Sequence, residues 1–167
     1  MKKLCTLFAV CLFFTLSKAQ QFTSAEVGIN GLTCSMCTRT TELSIRKLDF
    51  VDSVIMDLTN TNGIIIFKKG AVVSVEKIAK AVKDAGFSVR YLKAGFDLDK
   101  QNISSGSCFM YKGGQYKFLS QDSTSLSGTA TLIFVGKNYM PPKEFKKWSG
   151  KVKDACTAGK QTYYVTI

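Results

Sequence analysis

The 167-residue sequence contains no histidine. That absence removes the commonest metal-ligating side chain and the usual general base, so histidine-dependent triads and mixed Cys/His zinc sites are excluded. Acidic residues are in the minority, with 12 Asp and Glu against 23 Lys and Arg and a formal charge of +11. The two prolines, Pro141 and Pro142, are adjacent and suit the first turn of a short helix ending near Trp148. Long apolar runs are missing after residue 16, and none approaches the roughly 20 residues that cross a hydrocarbon core.

What is present begins with an amino-terminal pattern. Lys2 and Lys3 precede an apolar run from Leu4 to Leu16, and Ser17-Lys18-Ala19 offers small residues where a signal peptidase reads. Residues 1–19 are therefore expected to be a secretory signal peptide. Cys5 and Cys11 lie too early for a lipoprotein site. The mature chain, Gln20 to Ile167, is expected outside the cytoplasm, periplasmic or secreted, with room for one domain or two small ones. Loss of Lys2, Lys3 and Lys18 leaves a charge of +8. The lysines run throughout an exported chain, which argues against nucleic acid and for a solvated basic surface favouring acidic partners or anionic membrane.

Four of the six cysteines remain in the mature chain: Cys34, Cys37, Cys108 and Cys156. Cys34 and Cys37 stand in Gly31-Leu32-Thr33-Cys34-Ser35-Met36-Cys37, between a short alternating strand around Val27 and Ile29 and a helix marked by Cys37, Thr41, Ile45 and Leu48. A helix N-terminus favours negative charge, so both thiols should ionise more readily than free ones. Two thiolates with no nitrogen or carboxylate beside them suit a soft ion of low coordination number, Cu(I) above all. Hg(II) is an alternative, and Zn(II) would need ligands from outside the turn. Calcium and magnesium, which want oxygen ligands, do not fit. The rival reading of a lone CxxC in an exported protein is a disulfide or a thiol-disulfide exchange pair. Ser35-Met36 lacks the Gly-Pro type of interior typical of thioredoxins, and the flanking pattern does not suit that fold. Met36 is a weaker candidate for a third ligand through its thioether.

Beyond the helix, Val54, Met56 and Leu58 alternate, Asn60-Thr61-Asn62-Gly63 makes a turn, and Ile64 to Phe67 completes a hairpin. Ser74 can cap a second helix with Val75, Ile78, Ala79 and Val82 on its apolar face, Gly86 can end it, and Val89 to Leu92 forms a last strand. The order βαββαβ over residues 24–93 is the ferredoxin-like arrangement. With Thr33 before the first Cys and Asp84-Ala85-Gly86-Phe87 downstream, this stretch resembles the heavy-metal-associated domain family, in its exported copper- and mercury-binding form. The resemblance implies that Cys34 and Cys37 hold the metal, that Phe87 shields the loop, and that Cu(I) passes to a partner's Cys pair through shared-ligand intermediates. It implies a non-enzymatic carrier whose partner is a metal-transporting membrane protein or another CxxC protein. Departures from the family pattern are Leu32 in place of Met, Thr41 in place of an aliphatic residue, and Asp49-Phe50 in place of Pro-Gly.

Residues 94–106 turn polar and read as a linker. Residues 107–167 read as a small β-rich domain, barrel-like, with strands at Cys108 to Tyr111, Tyr116 to Leu119, Thr129 to Val135 and Thr162 to Ile167. The fold class expected is thus α+β, a ferredoxin-like unit followed by a β-rich one. Cys108 and Cys156 are expected to form a disulfide in an oxidising compartment. The sharper alternative joins Cys108, Met110, Met140 and Cys156 in a second copper site.

Overall fold

A computed structural model describes residues 21–98, 104, 106–119, 128–153, 155–157 and 161–167. The expected signal peptide lies outside the described residues. The elements run β1 (Gln21–Asn30), α1 (Ser35–Arg46), β2 (Val51–Asp57), β3 (Asn62–Phe67), α2 (Val75–Asp84), β4 (Ser88–Asp97), β5 (Cys108–Tyr111), β6 (Gly114–Phe118), β7 (Thr129–Val135), α3 (Pro142–Trp148) and β8 (Thr162–Thr166). The eight strands form one sheet in the order β2-β3-β1-β4-β7-β8-β6-β5. Its first four strands and the helices α1 and α2 are the ferredoxin-like βαββαβ unit.

Period-two alternation sets the faces of the sheet. Ala25, Val27 and Ile29 of β1 are buried, as are Leu92, Ala94 and Phe96 of β4, and they join Ile45 of α1 and Ile78 and Val82 of α2 in one core. The departures from family pattern are accommodated locally. Leu32 is 2% exposed, and Thr41, fully buried, donates its hydroxyl to the Cys37 carbonyl at 3.0 Å. That bond removes the cost of placing a hydroxyl in an apolar core. Phe50 is buried against Phe67, with ring centroids 5.9 Å apart.

The opposite face of β1 and β4 carries a polar network. The Tyr91 hydroxyl donates to Glu26 Oε1 at 2.5 Å, and Asn62 Nδ2 donates to the same oxygen at 3.0 Å. Gly28 makes this geometry possible, because a Cβ there would lie 2.4 Å from the Tyr91 ring. The Tyr91 bond holds the Glu26 carboxyl below its ordinary range. Burial, reinforced by the bond to Glu26, raises the Tyr91 hydroxyl.

Two expectations for the second half are corrected. Ala94 to Asp97 are strand rather than linker, since β4 continues to Asp97 and pairs there with β7, Ala94 opposite Leu132 and Asp97 opposite Thr129. The β-rich region therefore extends the ferredoxin-like sheet, and it is no closed barrel, because β2 and β5 remain edges among the described residues. The physical reason is aromatic burial. The ends of β1 and β4 bring Phe22 and Phe96 to the core face, and the β5–β6 hairpin curls over them. Phe96 meets Phe109 at 5.4 Å and Tyr111 at 5.3 Å, while Phe22 meets Tyr111 at 5.0 Å. Tilted and edge-on pairs of this kind are favoured by the ring quadrupoles. Helix α3 rests on the other face, where Phe145, Trp148 and Val152 pack on Leu119, Val135, Met140 and Tyr164. A further link joins the halves: Glu76 of α2 accepts a hydrogen bond from Gln161 Nε2.

Candidate metal centre

The loop between β1 and α1 is set by its backbone. Gly31 adopts φ +85°, a conformation other residues rarely take, and turns the chain out of β1. Cys34 then serves as the N-cap of α1, with extended backbone angles, and its Sγ accepts the Cys37 N–H at 3.1 Å. A sulfur thus stands where Ser or Asp usually satisfies a free amide of the first turn. Cys34 is exposed and Cys37 half-buried against the core. No acidic residue occupies the first turn of α1, so the helix dipole acts on the sulfurs without competition from a carboxylate there.

In this structure the two sulfurs are joined as a disulfide, with the Cα atoms 5.2 Å apart. Metal binding by this pair requires its two-electron reduction to two thiols, which then supply a two-sulfur donor set. Among the described residues no cluster of three or more His, Cys, Asp or Glu exists that could hold an ion. Such a donor set fits a soft cation of low coordination and does not fit a hard one. Met36 is 77% exposed, so its thioether is not packed into the loop.

Phe87 reaches the loop by a definable route. Helix α2 is capped at its start by Ser74, whose Oγ accepts the Lys77 N–H, and at its end by Ala85. Gly86 at φ +91° follows, with Gly86 N–H bonded to the Lys83 carbonyl and Phe87 N–H to the Val82 carbonyl. These two bonds form a Schellman motif. They fix Phe87 half-buried on the core, and a Cβ at Gly31 would sit 3.6 Å from Phe87 Cδ1. Asp84-Ala85-Gly86-Phe87 is therefore a helix stop that delivers an aromatic ring to the cysteine loop.

The other two cysteines among the described residues lie elsewhere. Cys108 and Cys156 are joined in a disulfide with Cα atoms 5.9 Å apart. The alternative second copper site is corrected on this ground: both thiols are consumed, Met140 is 9% exposed in an apolar cluster, and Met110 is half-exposed on edge strand β5. Sequence reasoning missed that Lys137, Asn138 and Met140 to Pro142 come beside the cysteine end of the sheet. There they line a cleft of about 760 Å³ with Asn30, Lys83 and Phe87. Nothing in residue pattern signals this, because it follows from β7 pairing with β4.

Comparison with known proteins bears on residues 26–88, which match the heavy-metal-associated domain family. A cation-transporting ATPase, HMA5, of Oryza sativa subsp. japonica is 30% identical over 77 residues, 46% of this chain and 8% of the relative. Copper-transporting ATPase 1 of Rhizobium meliloti (strain 1021) is 38% identical over 69 residues, 41% of this chain and again 8% of the relative. The chain thus spans a small fraction of either ATPase. Among solved structures, oxidized MerP from Ralstonia metallidurans CH34 is 32% identical, with 42% of this chain and 97% of that one covered and a TM-score of 0.35. Residues 26–88 of this chain are a heavy-metal-associated domain, a metal-binding fold with its cysteine pair at the start of α1.

Proposed function

We propose that this protein is an exported, non-enzymatic carrier that binds Cu(I) through Cys34 and Cys37 and passes it to another thiolate site. The observation that carries the reading is the capping geometry: the exposed Cys34 sulfur accepts the Cys37 amide at the N-terminus of α1. The same amide and the helix dipole favour the thiolate form once the pair is reduced. Binding then consists of two Cys sulfurs replacing the ion's previous ligands, with loss of both thiol protons. Transfer is substitution of one sulfur at a time by an incoming thiolate, with no change of oxidation state. Exposed Cys34 is the side from which a partner's thiolate approaches, and Phe87, whose ring lies near Gly31 at the start of the loop, is the residue proposed to shield it. The partner proposed is a metal-transporting membrane protein or another CxxC protein, and the location proposed is periplasmic or secreted. Hg(II) and Zn(II) are the competing cargoes to be measured beside Cu(I).

The test is an anaerobic Cu(I) titration of the reduced chain from Gln20 against a competing chelator, beside a Cys34→Ser, Cys37→Ser variant. One-to-one binding that disappears in the variant supports the reading, and absence of binding by the reduced protein refutes it. The bonded state of the pair favours one second reading, thiol-disulfide exchange. In that reaction an external thiolate attacks a sulfur of the pair, forms a mixed disulfide and releases the other as thiolate. Rapid turnover of a dithiol substrate, together with failure to bind Cu(I), would select it.

A further inference from the structure

The positive charge is unevenly placed. Residues 21–98 carry ten Lys and Arg against eight Asp and Glu, whereas residues 137–154 carry six lysines against Glu144 and Asp154. Nearly balanced charge over the heavy-metal-associated domain thus gives way to +4 within 18 residues. All six lysines, Lys137, Lys143, Lys146, Lys147, Lys151 and Lys153, are exposed.

Their arrangement is that of a shallow amphipathic cap. Phe145 and Trp148, three residues apart on α3, pack toward Val135 and Tyr164, and no residue of α3 is fully buried. Lys143, Lys146 and Lys147, with Glu144 among them, are exposed on the rest of the helix, and Lys151 and Lys153 follow just after it. Trp148 stays half-exposed, with Lys151 Nζ 5.6 Å from its ring centre. Lys147 pairs with Glu144 at 2.8 Å, so the unopposed charge lies on the flanking lysines. The segment also starts at the cysteine end of the sheet, because β7 and β1 are both antiparallel to β4 and so run the same way.

The geometry points to residues 137–153 as a platform that docks this protein on an anionic phospholipid surface. The charge is supplied by lysine alone, with no arginine in the segment. Ammonium groups act as mobile point charges without the planar fork that reads a carboxylate or phosphate in two places. They suit a diffuse layer of headgroups better than a shaped protein or nucleic-acid site. A half-exposed Trp amid such lysines is the side chain expected at a headgroup boundary. This docking needs neither the metal nor the cysteines, so its failure and that of the carrier reading are distinguishable.

The experiment is sedimentation of the metal-free chain from Gln20 with phosphatidylcholine vesicles, with and without phosphatidylglycerol. Starting at Gln20 omits the apolar amino-terminal run, which would partition by itself. Each lysine near an anionic surface strengthens adsorption roughly fivefold. A Lys143→Gln, Lys146→Gln, Lys151→Gln variant should therefore adsorb about a hundredfold more weakly to the anionic vesicles. A variant with the same loss of charge elsewhere, Lys47→Gln, Lys69→Gln, Lys77→Gln, should fall by no more than a few-fold, and added salt should weaken all three proteins. Equal adsorption to neutral and anionic vesicles, or equal loss in both variants, overturns the proposal. Absence of vesicle binding, with capture instead by an acidic protein that depends on Lys143, Lys146 and Lys151, overturns it as well.

Discussion

Replacement of Phe96 by Ala tests whether the two halves of this chain are one folding unit. Phe96 lies on β4 within the stretch expected to be linker, is fully buried, and is 4.7 Å from Phe22, 5.4 Å from Phe109 and 5.3 Å from Tyr111 by ring centroids. Burial of the ring contributes about 1.5–3 kcal/mol, and each aromatic pair about 0.5–1.5 kcal/mol beyond that. Two of the three pairs cross from β4 to β5, so Phe96→Ala should cost about 3–5 kcal/mol, the usual range for emptying a core aromatic site. For a chain of this size that is a fall in melting temperature of about 10 °C. The assay is urea unfolding followed by two probes. Trp148, the sole tryptophan, sits on α3 and reports the second half by fluorescence, while far-ultraviolet circular dichroism is dominated by α1 and α2. Both midpoints should move together and remain coincident. A fall of the Trp148 midpoint with an unchanged helix midpoint would refute the shared core, as would a cost below about 1 kcal/mol.

Gly28→Ala should destabilise by about 1–3 kcal/mol, because the new methyl displaces the Tyr91 ring and breaks its bond to Glu26; chemical denaturation measures it. A Glu26 carboxyl held low contributes stability that is complete above the ordinary carboxylate range and lost as pH falls through its lowered value. Tyr91→Phe, which removes the largest cause of that lowering, should therefore flatten the acid limb of stability against pH below about 4. On the alkaline side, burial raises the hydroxyls of Tyr116 and Tyr139 far above their ordinary value, so their neutral forms are part of the fold. Stability from them is complete below about pH 10 and is lost as pH rises, and their tyrosinate absorbance should appear only with unfolding. Cys108→Ser, Cys156→Ser should cost about 4 kcal/mol by chain entropy, given the 48-residue separation, without altering Cu(I) binding by the reduced protein.

Local pattern was enough to expect the ferredoxin-like unit and its cysteine turn. Val27 and Ile29 alternate, Ser74 caps, Gly86 stops, and each such signal is a property of neighbours in the chain, set by backbone sterics and one missing amide partner. The Cys pair was legible for the same reason, since its chemistry needs residues three apart on one turn. The strands and the short helix of the second half were also readable one by one. Their placement was not. Sequence shows Phe22, Phe96, Phe109, Tyr111 and Tyr116 as scattered aromatics; β1–β4 pairing sets Phe22 beside Phe96, the β5–β6 hairpin sets Phe109 beside Tyr116, and the continuation of the sheet from β4 through β7 and β8 brings the two groups into one cluster. The network of Glu26, Asn62 and Tyr91, and the arrival of residues 137–142 beside Phe87, likewise depend on strand register. Contacts between residues far apart in the chain are selected by the area they bury together, a quantity that exists only once the sheet has formed.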